Sequence, residues 1–399
     1  MSRWTFVQRT IPNITDLFES LEHCIRHELI PAIIGRDISD LQRKIFSLPV
    51  RYGGLGIADP SETAEREYSA SLFITEKLQD MIVSQDKDLE NLNIKWQEQQ
   101  VSDLKTSKEV HLLKKHTEVL NEITNISIKR AFEMCREKGT GSWLTALPLK
   151  NAGFLLNKRE LRDAICKRYG WNIPNTPPYC ACGKKNDLNH TLICMKGGYV
   201  TKRHNDLVYI NEDLQREAGC WDITHEPKLI PLQNEEMVDH VTGTHADRAG
   251  PDISSRGLFS SHEKTFYDVR VFHPNAPSYQ HQPLESLYKM HEKEKMRKYN
   301  SRILVVEKGS FTPLVYSTIG GWARQATSYH RRLADQISKR RNEDYSKVMN
   351  FMRTRISFSV LRSTLVAIRG DRGKRSTPRN PLSNVSFTLI PAALQYECY

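Results

Sequence analysis

The stretch Gly250 to Val271, GPDISSRGLFSSHEKTFYDVRV, decides how the chain is read. It sets Pro251-Asp252 ahead of one strand-like run, crosses a polar turn, and places Asp268 inside a second run, KTFYDVRVF. An ionised carboxylate within an apolar strand is costly unless something positive meets it. A salt bridge would meet that cost, and so would a metal ion. Fifteen residues separate the two acids, enough for one strand, a turn and a return. Adjacent antiparallel strands then bring both carboxylates to one end of a sheet.

Two carboxylates in that place suit a hard divalent ion, usually Mg²⁺, and such an ion serves phosphodiester hydrolysis. Arg270 shares the Asp268 face and Val269 takes the other. A cation beside two acids suits the charge that develops on phosphorus. Glu226, in THEPKL, is expected on the preceding strand as a further acid, with Glu217 on the preceding helix as its alternative; each reads equally well as a solvated surface acid. The helix SLYKMHEKEKMRKYN follows, and Lys295 is its cation expected to reach the site.

Working outward, 399 residues suffice for two or three domains with sizeable cores. No run approaches the ~18 apolar residues of a membrane span, and the opening MSRWTFVQRT is too polar for a secretory signal. Eight cysteines in such a chain read as reduced thiols in cytosol or nucleus. The net charge of +11 is unevenly placed: residues 285–380 hold 22 Lys and Arg against 8 Asp and Glu, a net of +14, leaving about −3 for the rest. A basic half points to a polyanionic partner, nucleic acid before membrane. Lys298, Arg331, Arg332, Arg340 and Arg341 are its expected contacts.

The predicted order is α+β. Residues 13–34 form an amphipathic helix, with Leu17, Leu21, Ile25 and Leu29 at helical spacing. SLPVRYGGLGIADPSE is a tight loop, its glycines permitting close backbone approach. Helical, charge-dense patterns cover 62–84 and 86–139, and a shorter helix covers about 157–169. Pro-rich NIPNTPPYCACG marks a boundary. Beyond it come a helix at 203–219, three strands, a helix at 284–299, the strands RILVVE and FTPLVYSTI, helices at about 322–341 and 345–368, and a basic coil from Gly370. The expected domains are 1–61, a helical linker at 62–172, a knuckle at 173–200, an α-β-β-β-α-β domain with closing helices at 201–369, and a tail at 370–399.

YCACGKKNDLNHTLIC carries Cys180, Cys182, His190 and Cys194, spaced Cys-x-Cys-x7-His-x3-Cys. Three thiolates and one imidazole complete a tetrahedral Zn²⁺ shell and leave no open position, so the expected zinc is structural. Gly183 lets the chain turn after the first pair. The competing reading is three core cysteines and a loop histidine.

At these residues the sequence resembles the C-terminal region of site-specific non-LTR retrotransposon proteins that carry a restriction-like endonuclease. In that family a Cys-Cys-His-Cys knuckle precedes a PD-(D/E)XK-type nuclease. Here Cys180, Cys182, His190 and Cys194 match the knuckle, more tightly spaced than in the family. Arg203 and His204, in KRHND, match a stretch opening the first nuclease helix and are expected to touch nucleic acid. HEP at 225–227 matches the first strand, Pro251-Asp252 and Asp268 match the catalytic acids, and KMRKY at 295–299 matches a Lys-x-x-Lys-Tyr helix. LPVRYGGLGI resembles the end of a reverse transcriptase thumb.

The resemblance implies a nuclear protein that nicks target DNA to prime reverse transcription, with DNA as partner and the element's RNA as a second. Arg270 stands where the family usually has lysine; arginine keeps its proton and cannot serve as a base, which leaves Lys295 for that place. No Asp-Asp pair occurs, so no polymerase box, and the chain is expected to be a thumb-to-C-terminus fragment that cannot polymerise. The alternatives are a nucleic-acid-binding remnant without activity, and a scaffold built on 62–139, which explains neither the acids nor the cysteines.

Overall fold

The computed structural model describes residues 3–85, 94–230 and 250–370. Residues 86–93 of the expected helical segment and the basic tail after Gly370 lie outside the described residues. The chain divides into two compact units, 1–136 and 137–399, so the helical stretch expected over 62–172 contributes to both.

The first unit is helical. Long helices run over Pro60–Ser84 and Ile94–Glu122. The helical stretch expected at 13–34 forms, but its buried stripe differs: Ile14, Phe18, Ile25, Ile30 and Ile34 are buried, while Leu17 and Leu29 are exposed. Leu17 sits in a 3-10 turn, Thr15–Phe18, and Leu29 ends a π turn, Ile25–Leu29. The π turn inserts one extra residue per turn and rotates the inward face. The glycine loop is closed by Gly56 N–H donating to Leu48 O at 2.9 Å. Gly54 lies so close to Leu48 that a Cβ there would stand 1.8 Å from that carbonyl oxygen.

The second unit holds the sheet. In it we label α1 (Lys158–Tyr169), α2 (Leu188–Ile193), α3 (Tyr199–Ala218), β1 (Trp221–His225), β2 (Ile253–Arg256), β3 (Thr265–Phe272), α4 (Leu284–Arg302), β4 (Ser310–Ser317), α5 (Arg324–Arg341) and α6 (Tyr345–Arg369). Local chemistry sets the ends. Asn157 and Glu160 form a capping box on α1, and left-handed Gly170 and Gly219 stop α1 and α3.

The sheet order is β1-β2-β3-β4. β1, β2 and β3 meander antiparallel, and β4 joins β3 in parallel after the α4 crossover. β1 is an edge strand, with its ladder irregular between Trp221 and Thr224 and Asp222 in a left-handed conformation, φ 52°. Alternation along β3 sends Phe266 and Phe272 toward α4, where they pack with Tyr299, Ile303 and Phe311, and with Leu287, Tyr288 and Val315. Tyr267 faces the other way, its ring 5.2 Å from Tyr329 of α5. Tyr329 accepts from Gln215 of α3 at 3.0 Å. The sheet therefore lies between α4 and a layer of α3 and α5.

The expected strand RILVVE is not a strand. Ile303–Glu307 continues α4 as a π turn. Its β-branched residues favour strand locally, yet only Ile303 is buried, while Leu304 and Val305 face solvent. Left-handed Lys308 ends the turn, and Gly309 passes where a Cβ would stand 2.3 Å from Lys264 O. Tertiary packing overrides propensity here. A single strand, β4, then covers the FTPLVYS run.

Candidate functional site

Asp252 lies one residue ahead of β2. Its N–H donates to Tyr267 O at 2.9 Å, and its carbonyl accepts from Glu226 N–H at 2.8 Å. The β2–β3 register ends at Ile253 with Tyr267, and Asp252, bonded to that same Tyr267, lies beside Asp268, whose carboxyl feels its charge. Asp252 Oδ2 accepts from Val269 N–H at 2.6 Å, and Oδ1 lies 3.1 Å from His204 Nε2 on α3. Asp268 Oδ2 lies 2.7 Å from Lys295 Nζ on α4. Helices from both layers thus reach the two acids.

The electrostatics follow from crowding. Burial and then the neighbouring Asp252 push the Asp268 carboxyl up to about 6, against the pull of Lys295 and His204. Burial works to lower the His204 imidazole, but the Asp252 and Asp268 carboxylates outweigh it, and the net shift is upward. Tyr299, one turn beyond Lys295, donates to Gly250 O at 3.3 Å. Burial, with Asp268 and Asp252 behind it, raises the Tyr299 phenol, which keeps its proton.

Arg270 shares the Asp268 face of β3, as expected, while Glu226 and Glu217 do not join the pair. Arg270 is on the α4 face of β3, beside His291, whose imidazole burial and then Arg270 push down. Glu226 follows β1 rather than lying in it; its carboxylate is 74% exposed and lies 4.0 Å from His225 Nε2. Its backbone, not its side chain, supports Asp252. Glu217 is committed to Arg355 at 3.1 Å and Arg341 at 3.5 Å.

The cysteine cluster assembles. An antiparallel bridge joins Tyr179 to Lys185, and Gly183, φ 86°, makes the turn between them. Asp187 caps α2 by accepting from His190 N–H at 2.7 Å, which fixes the His190 backbone. The ligand atoms of Cys180, Cys182, His190 and Cys194 all lie within 4.8 Å of one another. Cys180 and Cys194 Sγ are 3.8 Å apart, and Cys182 Sγ is 3.2 Å from His190 Nε2. A tetrahedral ion with Zn–S bonds of about 2.3 Å needs sulfurs about 3.8 Å apart. Donor set and spacing are compatible with zinc.

The basic candidates divide. Arg203 is 3% exposed and donates to Leu192 O at 3.0 Å, so the expectation that it meets nucleic acid is corrected: it points into the protein. Arg332 donates to Leu258 O at 2.6 Å and Phe259 O at 3.1 Å. Arg340 packs over Gly219, its Nη1 filling the place of the missing Cβ. Arg331 and Lys298 are exposed, Lys298 with its ammonium 5.0 Å from the centre of the Tyr299 ring.

Two residues that the motifs name take places the motifs do not state. Tyr299, the last residue of KMRKY, sits at i+4 from Lys295, a spacing that shares one helix face, and His204, expected to touch nucleic acid, meets Asp252. The His204–Asp252 pair spans 48 residues, and no local pattern announces it. No family model matches the chain, and no curated protein matches it either.

Proposed function

We propose that the second unit is a metal-dependent DNA endonuclease of the PD-(D/E)XK type, within a retrotransposon-derived chain that nicks target DNA to prime reverse transcription. The observation that carries this reading is Asp252 beside Asp268 with Lys295 2.7 Å from Asp268. The α-β-β-β-α-β order from α3 to β4 supports it, as does the antiparallel meander followed by a parallel crossover.

Asp252 and Asp268 fit a hard cation: both offer oxygen, and Asp268 is held in a buried place where its charge is under-compensated. Bound there, Mg²⁺ supplies Lewis acidity toward a phosphodiester. The chain's own groups do the rest. Val269 N–H and His204 fix the plane of the Asp252 carboxylate. Lys295 brings positive charge to the point where negative charge grows on the scissile phosphate. Tyr299 closes the floor through Gly250 O.

Zn²⁺ in the knuckle is structural, with all four positions taken by protein. Exposed cations such as Arg331 and Lys298 serve DNA, with the element's RNA a further ligand of the same chemistry. Action on chromosomal DNA places the protein in the nucleus. No helix among the described residues is long and apolar enough to cross a membrane.

A second reading, a DNA-binding remnant without activity, is favoured by one observation: Arg270, which stands where a base is needed, cannot give up its proton and lies beside His291. Supercoiled plasmid incubated with the purified chain and Mg²⁺ separates the two. Nicked circles that vanish with Asp252→Ala support the nuclease. DNA binding without nicking supports the remnant.

A further inference from the structure

Arg203 and His204 are neighbours on α3 with different tasks. Arg203 is buried and donates through Nη2 to Leu192 O at 3.0 Å, in the last turn of the helix that carries His190 and leads into Cys194. His204 Nε2 lies 3.1 Å from Asp252 Oδ1. A second tie joins the knuckle to the sheet. His273, immediately after β3, has Nε2 3.0 Å from Asn189 Oδ1 on α2 and Nδ1 2.8 Å from Thr318 Oγ1 after β4. Asn189 adjoins the knuckle ligand His190. A knuckle serving only as a free hand for nucleic acid needs no buried polar ties on two sides. Such ties hold geometry when satisfied and are costly when broken.

We propose that the Cys180–Cys182–His190–Cys194 knuckle is a positioning element of the carboxylate site, acting through Arg203 and His204. With its ligands gathered, α2 presents Leu192 O to Arg203, and Arg203 fixes the first turns of α3. His204 then meets Asp252 at the angle that, with Val269 N–H, sets the plane of the carboxylate. His204 is thus a positioning residue and Arg203 the strut behind it. This rests on reading Asp252 and Asp268 as a nuclease site. Small misplacements of such groups cost rate steeply, about 100-fold for 1 Å.

The test uses the full chain with Arg203→Met, which keeps side-chain length and all four knuckle ligands but loses the donor fork. Zinc per chain, the imidazole ¹H–¹⁵N resonances, DNA affinity and single-turnover nicking are measured. His204 is assigned through His204→Gln, and His330, buried against Tyr316 at 2.8 Å, reports the core. The expected result is retained zinc, an unmoved His330, a displaced His204 and nicking reduced about 10- to 100-fold at unchanged DNA affinity. Stripping zinc from the wild type displaces His204 in the same way. An unmoved His204 in both samples overturns the proposal. So does loss of His330 on stripping zinc, because the knuckle would then hold the whole core rather than the site. If Arg203→Met fails to fold, Arg203→Lys and the stripped wild type carry the same comparison. Absence of nicking in the wild type defeats the nuclease reading alone, since the His204 resonance is read without turnover.

Discussion

Lys295 Nζ lies 2.7 Å from Asp268 Oδ2, so the helix that leaves the end of β3 turns back and delivers a cation to that same strand. The contact answers how a carboxylate sits in an apolar strand: a lysine meets it. It does not fully compensate, since burial and Asp252 still hold Asp268 up at about 6.

A raised acid pKa carries a definite sign. The folded state holds the Asp268 proton up to about pH 6, whereas the ordinary value is 3.8. The native protein therefore binds more protons than the unfolded chain between those limits, and stability falls as pH rises through them. The shift corresponds to at most about 3 kcal/mol. Asp268→Asn removes this slope and abolishes nicking. Melts of both proteins from pH 4 to 7 in EDTA check it; a wild type that gains stability relative to Asp268→Asn across that window sinks the assignment.

Asp252→Ala is expected to abolish nicking with DNA affinity within about twofold of wild type. The Val269 N–H loses its acceptor, at a cost of about 1–3 kcal/mol, while relief of like-charge crowding on Asp268 offsets part of it. Parallel loss of binding and cleavage in a filter-binding and plasmid assay would indicate misfolding and remove Asp252 from the chemistry.

Metal analysis is expected to find about one zinc per chain. Cys194→Ser lowers that content and the melting temperature together, because binding free energy at such sites is folding free energy. A metal-free protein that melts identically with and without Cys194 would leave three ordinary thiols.

The arginines of α5 separate by partner. Arg331, exposed, is expected to contribute to DNA binding, so Arg331→Ala lowers the log–log salt slope by about 0.9. Arg332→Ala loses its bonds to Leu258 and Phe259 carbonyls and costs about 1–3 kcal/mol in a melt. An Arg332→Ala protein of unchanged stability and weakened binding would reverse these roles.

Much of the second unit was legible because its signals are local. The helices expected at about 157–169 and 203–219 form as Lys158–Tyr169 and Tyr199–Ala218, and the fifteen residues between the two acids hold a hairpin-sized return. What escaped is non-local. RILVVE has strand composition, but Ile303 finds its core among Phe266, Tyr299 and Phe311 while still helical. The expected Leu17, Leu21, Ile25 and Leu29 stripe assumes 3.6 residues per turn, which the 3-10 turn at 15–18 and the π turn at 25–29 break. Arg203 reads as surface because arginine is usually exposed. Only the fold shows the carbonyl it serves.

The irregular β1 has a consequence for the company the sheet keeps. A regular outer strand offers unpaired amides and carbonyls to any passing strand of another molecule. Here Asp222 turns left-handed in mid-strand, interrupts the ladder between Trp221 and Thr224, and draws Arg256 to 3.2 Å and Lys264 to 3.5 Å. That border is kinked and charged, a poor template for fibre growth or for stacking one sheet onto the next.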